Sequence, residues 1–239
     1  MRIALIGYGA MGQLVGRLAV QRGDEVGLTL TSRDSDRSVE ELTAILPGHD
    51  TAIDFSVGSA VLSHVAACAR AQVPLVEGTT GWNQQVSEAR CLVTEHSGAL
   101  VYGANFSLGV NVFYRIVAQA ASLFASISEY EPFIEEAHHA RKRDAPSGTA
   151  LRLRELTNGP LSRDVPIAST RAGYIPGTHR VGFDSAADQI TLTHTARSRE
   201  GFAAGALVAA SWIVERKGVY EFSEVIDDIM TFLRKETKQ

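Results

Sequence analysis

The chain has 239 residues, 45% of them hydrophobic and 21% charged, with a formal net charge of -4 at pH 7. That length can bury a sizeable core and can form either one large domain or two modest ones. The slight acidic balance offers no electrostatic surface for nucleic acid, so we expect no partner of that kind.

The apolar runs of the sequence are short. The N-terminal run MRIALIGYGAMG is interrupted by glycines and lacks a small-residue cleavage site, so a secretion signal is not predicted. No later run reaches the roughly 20 residues that span a bilayer. Cys68 and Cys91 both lie in helical patterns and are expected to be reduced, buried thiols. We therefore expect a cytoplasmic protein with neither a membrane partner nor a disulfide.

The first hundred residues alternate short β-like runs with helical patterns, as in a parallel α/β layer. Strands are predicted at residues 2–6, 25–31, 51–55, 74–76 and 99–102. Helices are predicted at residues 11–22, 59–71 and 83–95.

The pattern changes after Asn105. A long apolar helix is predicted at about residues 110–126, followed by strands at residues 130–140, 167–171, 179–183 and 189–196. This order predicts a second, mostly antiparallel domain. From Phe202 onward the pattern is helical again, and these last helices are expected to return and cover the first sheet.

A glycine-rich turn, GYGAMG, follows the first predicted strand and opens the first helix. Its members are Gly7, Tyr8, Gly9, Ala10, Met11 and Gly12. Glycines there permit a tight turn and let the backbone approach a pyrophosphate, and the helix N-terminus supplies N–H groups to it. The spacing alone is weak evidence, but its position between a strand and a helix predicts a dinucleotide site.

The end of the second strand bears on the choice of dinucleotide. NAD-selective folds place an acidic residue about 20 residues past the glycines to hold the ribose 2′-hydroxyl. Here Ser32 and Arg33 occupy that position, and Asp34 and Asp36 follow where the chain is expected to have turned away. Serine and arginine can hold a 2′-phosphate, which predicts that NADPH is used at least as well as NADH. The alternative is that Arg33 stacks on adenine or lies in solvent.

The densest set of reactive side chains lies in EEAHHARKRDAPSGTA, residues 135–150. His138 and Lys142 are four residues apart, so we expect them on one face of a strand or a helical turn, with His139 pointing elsewhere. A solvated basic edge is the alternative interpretation. Zinc is a poorer account, since neither an HExxH helix nor a cysteine pair is present, and we expect no metal.

A helix start follows this basic segment. Ser147 is placed to cap it, and Gly148 and Thr149 put small residues at its positive end, where anions bind. A carboxylate site beside two histidines and a lysine, in a chain with a dinucleotide turn, indicates reduction of a small acidic substrate with a proton supplied by the enzyme.

Residues 136–150 resemble the signature of the dihydrodipicolinate reductase family, now named for 4-hydroxy-tetrahydrodipicolinate, which is close to E-x-H-H-x-x-K-x-D-A-P-S-G-T-A. The matching residues are Glu136, His138, His139, Lys142, Asp144, Ala145, Pro146, Ser147, Gly148, Thr149 and Ala150. Further matches are DFS at 54–56, EGTTGW at 77–82, ANFSLGVN at 104–111, RAGYIPGTHRVGF at 171–183 and THTARSREGFAAGA at 193–206. The resemblance covers essentially the whole chain.

The resemblance implies an α/β fold with a Rossmann-like cofactor domain and a second mixed α/β domain for substrate binding and oligomerisation, with hinge closure between them. We assign residues 1–104 and 206–239 to the first domain and 105–205 to the second. The implied reaction is reduction of 4-hydroxy-tetrahydrodipicolinate to tetrahydrodipicolinate by NADPH or NADH, in lysine and diaminopimelate biosynthesis. The implied partners are a small dicarboxylate substrate and further copies of the chain in a homotetramer.

The resemblance also implies roles for individual residues. His138 is the implied acid that protonates the substrate carbon next to the hydride acceptor, and Lys142 assists that transfer and offsets a substrate carboxylate. The implied substrate-binding residues are His139, Ser147, Gly148 and Thr149. The implied nicotinamide contacts are Gly78, Thr79, Thr80, Gly103, Ala104, Asn105 and Phe106.

The chain departs from the family pattern in three places. It is shorter after Arg33, its glycine turn has one residue fewer than the longer motif, and Thr178 stands where an acidic residue is usual. Two alternatives stay open: another dehydrogenase on a similar plan, such as an aspartate or diaminopimelate dehydrogenase, and a non-catalytic nucleotide sensor. The intact basic segment favours the reductase.

Overall fold

The computed structural model describes residues 1–236. The chain forms two compact units, one made of Met1–Leu108 with the chain from Glu200 onward and the other of Gly109–Arg199. We call them the first and second units.

The first unit contains a six-stranded parallel sheet with helices on both faces. Its strands are β1 (Arg2–Ile6), β2 (Glu25–Leu30), β3 (Thr51–Asp54), β4 (Leu75–Glu77), β5 (Ala99–Tyr102) and β10 (Gly218–Glu221). Its helices are α1 (Ala10–Gln21), α2 (Val39–Ile45), α3 (Val61–Ala71), α4 (Val86–Glu95), α7 (Glu200–Ile213) and α8 (Ile226–Glu236). The strand order is β10-β5-β4-β3-β1-β2, and each pair of neighbours is parallel.

The apolar run of β1 explains why this sheet is covered on both sides. Successive side chains of a strand point to opposite faces. Ile3 and Leu5 belong to the core packed by α1, α7 and α8, whereas Ala4 and Ile6 belong to the core packed by α2, α3 and α4. The helices near the C-terminus thus return to cover the first sheet, as the sequence predicted.

The second unit is built on a four-stranded mixed sheet. Its strands are β6 (Glu131–His138), β7 (Ile167–Arg171), β8 (Thr178–Asp184) and β9 (Gln189–Thr195), and its helices are α5 (Leu108–Phe124) and α6 (Gly148–Leu161). The order is β7-β6-β8-β9, with β6 parallel to β7 and antiparallel to β8. Side chains of α5 and α6, such as Val117 and Leu153, pack with Ile134 and Val181 on one face of this sheet.

The predicted α/β fold class is confirmed. The helix α2 and the edge strand β10 were not predicted. The prediction for Cys91 was wrong, since this thiol is exposed while Cys68 is buried. Within residues 1–236, no helix has the length and apolar character needed to cross a membrane.

Candidate active site

The end of β6 carries a histidine–carboxylate pair. Glu136 and His138 are two residues apart on the strand and therefore share one face of the sheet. Nδ1 of His138 lies 2.5 Å from Oε2 of Glu136. On the neighbouring strand Arg171 is in register with His138, and its Nη2 donates to Oε1 of Glu136 at 2.6 Å. The glutamate thus connects an arginine to the histidine ring.

Arg171 keeps Glu136 ionised. Burial alone would raise the pKa of this carboxyl, but hydrogen bonds from Arg171 and Ser169 lower it to about 2. The opposite shift applies to His138, whose pKa is lowered by burial in spite of Glu136, with Lys142 and Arg171 adding to the decrease. The resting site therefore holds an ionised Glu136 beside a neutral His138.

His179 on β8 completes the cluster from the other side. It pairs in register with Glu136, and its ring packs edge-on to the ring of His138 with centroids 5.1 Å apart. Burial, together with the nearby His138, lowers the pKa of His179 to about 4. This histidine is therefore neutral at physiological pH.

Ser147 links the cluster to the start of α6. Its Oγ accepts from the backbone N–H of Ala150 at 3.2 Å, which makes it the helix cap predicted from the sequence. The same Oγ lies 3.0 Å from Nε2 of His179 and is hydrogen-bonded to it. Ser147 is only 2% exposed, and its side chain serves the helix start.

The positive end of α6 is open where the sequence analysis placed a carboxylate site. Gly148 is exposed and Thr149 is half-buried, and they are the first two residues of the helix. Their N–H groups precede the capped Ala150 and point out of the helix end, where anions are favoured.

The prediction that His138 and Lys142 share a face of one regular element was wrong. The strand β6 ends at His138, and the chain then turns, with Lys142 N–H donating to the carbonyl of His139 at 3.0 Å. Lys142 still lies near enough to affect the pKa of His138, and its Nζ pairs with Asp144 at 2.8 Å. Nδ1 of His139 is buried without a hydrogen-bond partner in the described part of the chain.

The segments proposed for the cofactor meet at one edge of the first unit's sheet. Residues 7–12, 78–80 and 103–106 follow β1, β4 and β5, and the carboxyl ends of parallel strands lie at the same edge. Tyr8 is half exposed there, whereas Phe106 is buried against Phe55 and Phe222, which leaves its backbone as the available part.

Two glycines of the turn are required by close backbone approach. Gly7 has φ +84°, and a Cβ there would lie 2.6 Å from the carbonyl oxygen of Phe55. A Cβ at Gly12 would lie 2.0 Å from the carbonyl oxygen of Gly7. At Gly9, the residue that precedes α1, nothing lies within 4 Å of such an atom, so this point of the turn is open.

The end of β2 differs from the sequence expectation at Asp34. Ser32–Asp34 form a single 3-10 turn, and the Asp34 carboxylate folds back to accept from the backbone N–H of Thr31 at 2.9 Å and from Arg37 at 2.9 Å. These hydrogen bonds lower the pKa of Asp34. An ionised carboxylate therefore lies at the strand end, beside an exposed Arg33.

Glu136, His138 and His179 also present possible ligand atoms within 4.8 Å of one another. A divalent cation is disfavoured there, because Arg171 already supplies positive charge to Glu136 and Ser147 occupies Nε2 of His179. The absence of a metal from the mechanism stays a prediction.

The first unit has a parallel six-stranded sheet with a glycine turn after its first strand, and the second unit carries a histidine–carboxylate pair. This combination is the plan of two-domain NAD(P)-dependent oxidoreductases. Two family models cover nearly all of the chain: "Dihydrodipicolinate reductase, N-terminus" over residues 1–106 and "Dihydrodipicolinate reductase, C-terminus" over residues 109–226. The chain belongs to the dihydrodipicolinate reductase family, as the sequence resemblance indicated.

Individual relatives agree with the family models. The 4-hydroxy-tetrahydrodipicolinate reductase of Christiangramia forsetii is 35% identical over 241 residues, which cover 96% of this chain and 99% of that protein. The enzyme of the same name from Halorhodospira halophila is 37% identical and covers 90% of this chain and 85% of that protein. A dipicolinate-bound dihydrodipicolinate reductase from Paenisporosarcina sp. TG-14 shares the fold, with a TM-score of 0.77, 22% identity and coverage of 94% and 99%.

Members of this family are oxidoreductases of lysine and diaminopimelate biosynthesis that use NADH or NADPH, and the predicted enzyme class and cofactors are thereby confirmed. The comparisons do not support the alternative functions. Sequence reasoning missed Arg171 and His179 as members of the site. Both stood in the matched segment RAGYIPGTHRVGF, but only the strand register shows that they contact or flank Glu136 and His138.

Proposed function

We propose that this chain reduces 4-hydroxy-tetrahydrodipicolinate to tetrahydrodipicolinate, with hydride from NADPH or NADH and a proton from His138. Loss of the 4-hydroxyl group as water, with one hydrogen of the neighbouring ring carbon, would leave a carbon–carbon double bond. The hydride and the proton would then add to the two carbons of that bond. The cofactor binds the first unit and the substrate binds the second. The observation that carries this proposal is the Glu136–His138 pair, 2.5 Å apart in the same unit as the open positive end of α6.

Glu136 determines which nitrogen of His138 delivers the proton. Nδ1 of His138 faces the carboxylate of Glu136 at 2.5 Å, so Nε2 is the nitrogen that gains and loses the transferred proton. Glu136 also stabilises the imidazolium form. This arrangement of a histidine with a carboxylate behind it is common in general acid–base catalysis.

Substrate charge loads the proton onto His138. In the resting site burial and the positive charges of Lys142 and Arg171 lower the pKa of this histidine. A dicarboxylate brings two negative charges, which favour the imidazolium and offset these cations. His138 therefore carries the proton that it donates only when substrate is bound.

The substrate carboxylates bind the N–H groups of Gly148 and Thr149 and the ammonium group of Lys142. His139 contributes a further polar contact. Ser147 acts through its cap on α6, because its hydroxyl is already engaged with Ala150 and His179. Lys142 exchanges its ion pair with Asp144 for one with the substrate.

We also propose a cytoplasmic homotetramer. Free Cys68 and Cys91 suit a reducing compartment. The face of the second unit's sheet that carries Arg180 and Thr193 is exposed in the single chain, which supports subunit contacts there. Light scattering coupled to size-exclusion chromatography tests the tetramer, and a monomeric mass at assay concentration would contradict it.

The activity is tested by following NADPH and NADH oxidation with freshly made synthase product as substrate. Wild type should oxidise both cofactors only when substrate is present, and pyridine-2,6-dicarboxylate should inhibit in competition with substrate. A folded protein that oxidises neither cofactor with this substrate would overturn the proposed function.

A further inference from the structure

A second buried group of polar side chains lies at the carboxyl ends of β3 and β4 in the first unit. Asp54 and Glu77 end these two strands, stand opposite each other in the parallel register, and are each 0% exposed. No Lys or Arg within residues 1–236 is hydrogen-bonded to either carboxyl. Two negative charges in contact there would have no compensating guanidinium or ammonium group, which is unfavourable in a buried site.

Hydrogen-bond donors distinguish the two carboxyls. Asp54 Oδ1 accepts from the backbone N–H of Ser56 at 2.8 Å and from the hydroxyl of Thr79 at 3.4 Å, and Oδ2 lies 2.6 Å from Nδ1 of His64. Both oxygens of Asp54 therefore have hydrogen-bond partners.

Glu77 has the opposite surroundings. Its Oε1 accepts from the backbone N–H of Thr79 at 2.7 Å, but its Oε2 is buried and has no hydrogen-bond partner among the described residues. Burial, together with the charge of Asp54, raises the pKa of Glu77 well above its ordinary value. The nearby Cys68 adds no further negative charge, because burial and both carboxyls raise the pKa of its thiol.

We propose that Asp54 and Glu77 hold one proton between them, carried on Oε2 of Glu77, and that this carboxyl pair is a positioning element of the cofactor site. The role rests on the proposed placement of the nicotinamide along Gly78–Thr80. The shared proton removes the repulsion between the two buried carboxyls. The pair can therefore hold in place both loops, the one that follows β3 and the one that follows β4.

The contacts of the pair reach the loops directly. Ser56 N–H donates both to Asp54 and to the hydroxyl of Thr79 at 3.1 Å, which ties the loop after β3 to the loop after β4. Phe55 lies between them, so close to Gly78 that a Cβ there would be 2.2 Å from its ring. The carbonyl of Phe55 in turn limits Gly7 of the glycine turn. A change at the carboxyl pair is therefore transmitted to the backbone that we place along the cofactor.

The proton is tested by difference infrared spectroscopy at pH 7. The spectrum of wild type minus Glu77→Gln should contain the carbonyl stretching band of a protonated carboxylic acid. The control is Glu88→Gln, which changes an exposed glutamate of α4 in the same unit and should give no such band. A wild-type spectrum with only ionised carboxylate bands at Glu77 would overturn the shared proton.

The positioning role is tested by steady-state kinetics. Glu77→Ala removes the acceptor of the Thr79 N–H and should raise the KM for NADPH about tenfold, more than the KM for substrate. Glu77→Gln resembles the protonated acid and should restore most of that loss. Equal effects on the two KM values, or a glutamine variant as poor as alanine, would overturn the role.

A second pair of variants covers the case in which Glu77→Ala does not fold. His64→Leu removes the donor to Asp54 and should raise the KM for NADPH, while His64→Gln keeps a donor and should recover it. Unchanged cofactor KM in His64→Leu would count against the role. The infrared result does not depend on turnover, so its failure is distinguishable from an inactive wild type, which would instead overturn the proposed function.

Discussion

Nδ1 of His138 lies 2.5 Å from Oε2 of Glu136, a carboxylate that is itself held by Arg171 from the neighbouring strand. The histidine is therefore not an isolated base on a strand end. Its ring orientation and its proton affinity both depend on a glutamate that does not need to touch the substrate.

Glu136→Gln should lower kcat by roughly one to two orders of magnitude, because a neutral amide no longer stabilises the imidazolium, within the range typical of general acid catalysis. The KM for NADPH should be unchanged, since the cofactor is assigned to the first unit. The alkaline limb of the kcat–pH profile should also shift to lower pH, because activity is lost as the general acid deprotonates and Glu136 no longer favours its protonated form. Glu135→Gln is the matched control, because that residue lies on the same strand, faces the other side of the sheet and pairs with Arg180. Equal losses in the two variants would contradict the positioning of His138.

His138→Gln should keep the fold and cofactor binding but lose about 10²–10⁴-fold in kcat, the usual contribution of a general acid. His139→Gln should instead act mainly through the KM for substrate. The two variants are compared by steady-state kinetics, with cofactor binding measured by fluorescence titration. Exchanged phenotypes would show that the wrong histidine was assigned as the acid.

Lys142→Met should lower turnover far more than cofactor affinity, because it removes a charge beside the substrate and not beside the pyrophosphate. It should also weaken inhibition by pyridine-2,6-dicarboxylate. Arg143→Met provides the control, since this neighbouring cation is exposed and has no assigned role. Unchanged turnover in Lys142→Met would remove the lysine from the proposed mechanism.

The stability of the fold should decrease in acid partly through Glu136. Its folded pKa, about 2, lies below the ordinary value of 4.5, so the unfolded chain binds the proton more readily. The stabilisation is fully present above about pH 4.5 and is lost as the pH falls toward 2, at about 1.4 kcal/mol for each unit of pKa shift. Urea unfolding of wild type and Glu136→Gln across this interval measures it. Parallel pH profiles would argue that the Glu136–Arg171 pair contributes nothing.

Cofactor choice is predicted from the end of β2. Arg33 is exposed beside the proposed ribose position, and NADPH should be used at least as well as NADH. Arg33→Ala should lose more kcat/KM with NADPH than with NADH, whereas Asp34→Asn should gain with NADPH by removing the carboxylate at the strand end. Equal losses with both cofactors, or a wild-type preference for NADH above about tenfold, would contradict the role of Arg33.

The sequence predicted what depends on local patterns. The strand–glycine–helix unit at Gly7 and the cap at Ser147 are set by neighbours within a few residues, and both were found where they were predicted. Arg171 and His179 reach the site through strand register, which depends on long-range pairing that a single sequence does not reveal. The sequence analysis expected Asp34 to lie beyond the strand end, where the chain has turned away. Its carboxylate instead bends back to accept from the Thr31 N–H, and the position of Asp34 in the sequence does not reveal that contact.

The return of α7 and α8 to the first sheet bears on the order in which the protein is made. The second unit, Gly109–Arg199, is continuous and can complete its core as soon as it leaves the ribosome. The first unit begins the chain but cannot complete its core until the residues after Glu200 have been made. Ala206 and Trp212 of that later segment cover the sheet face that carries Ile3 and Leu5. During synthesis the sheet face that carries Ile3 and Leu5 therefore stays incompletely covered until α7 and α8 have been made. This apolar face is the surface on which we expect a chaperone to bind the unfinished chain.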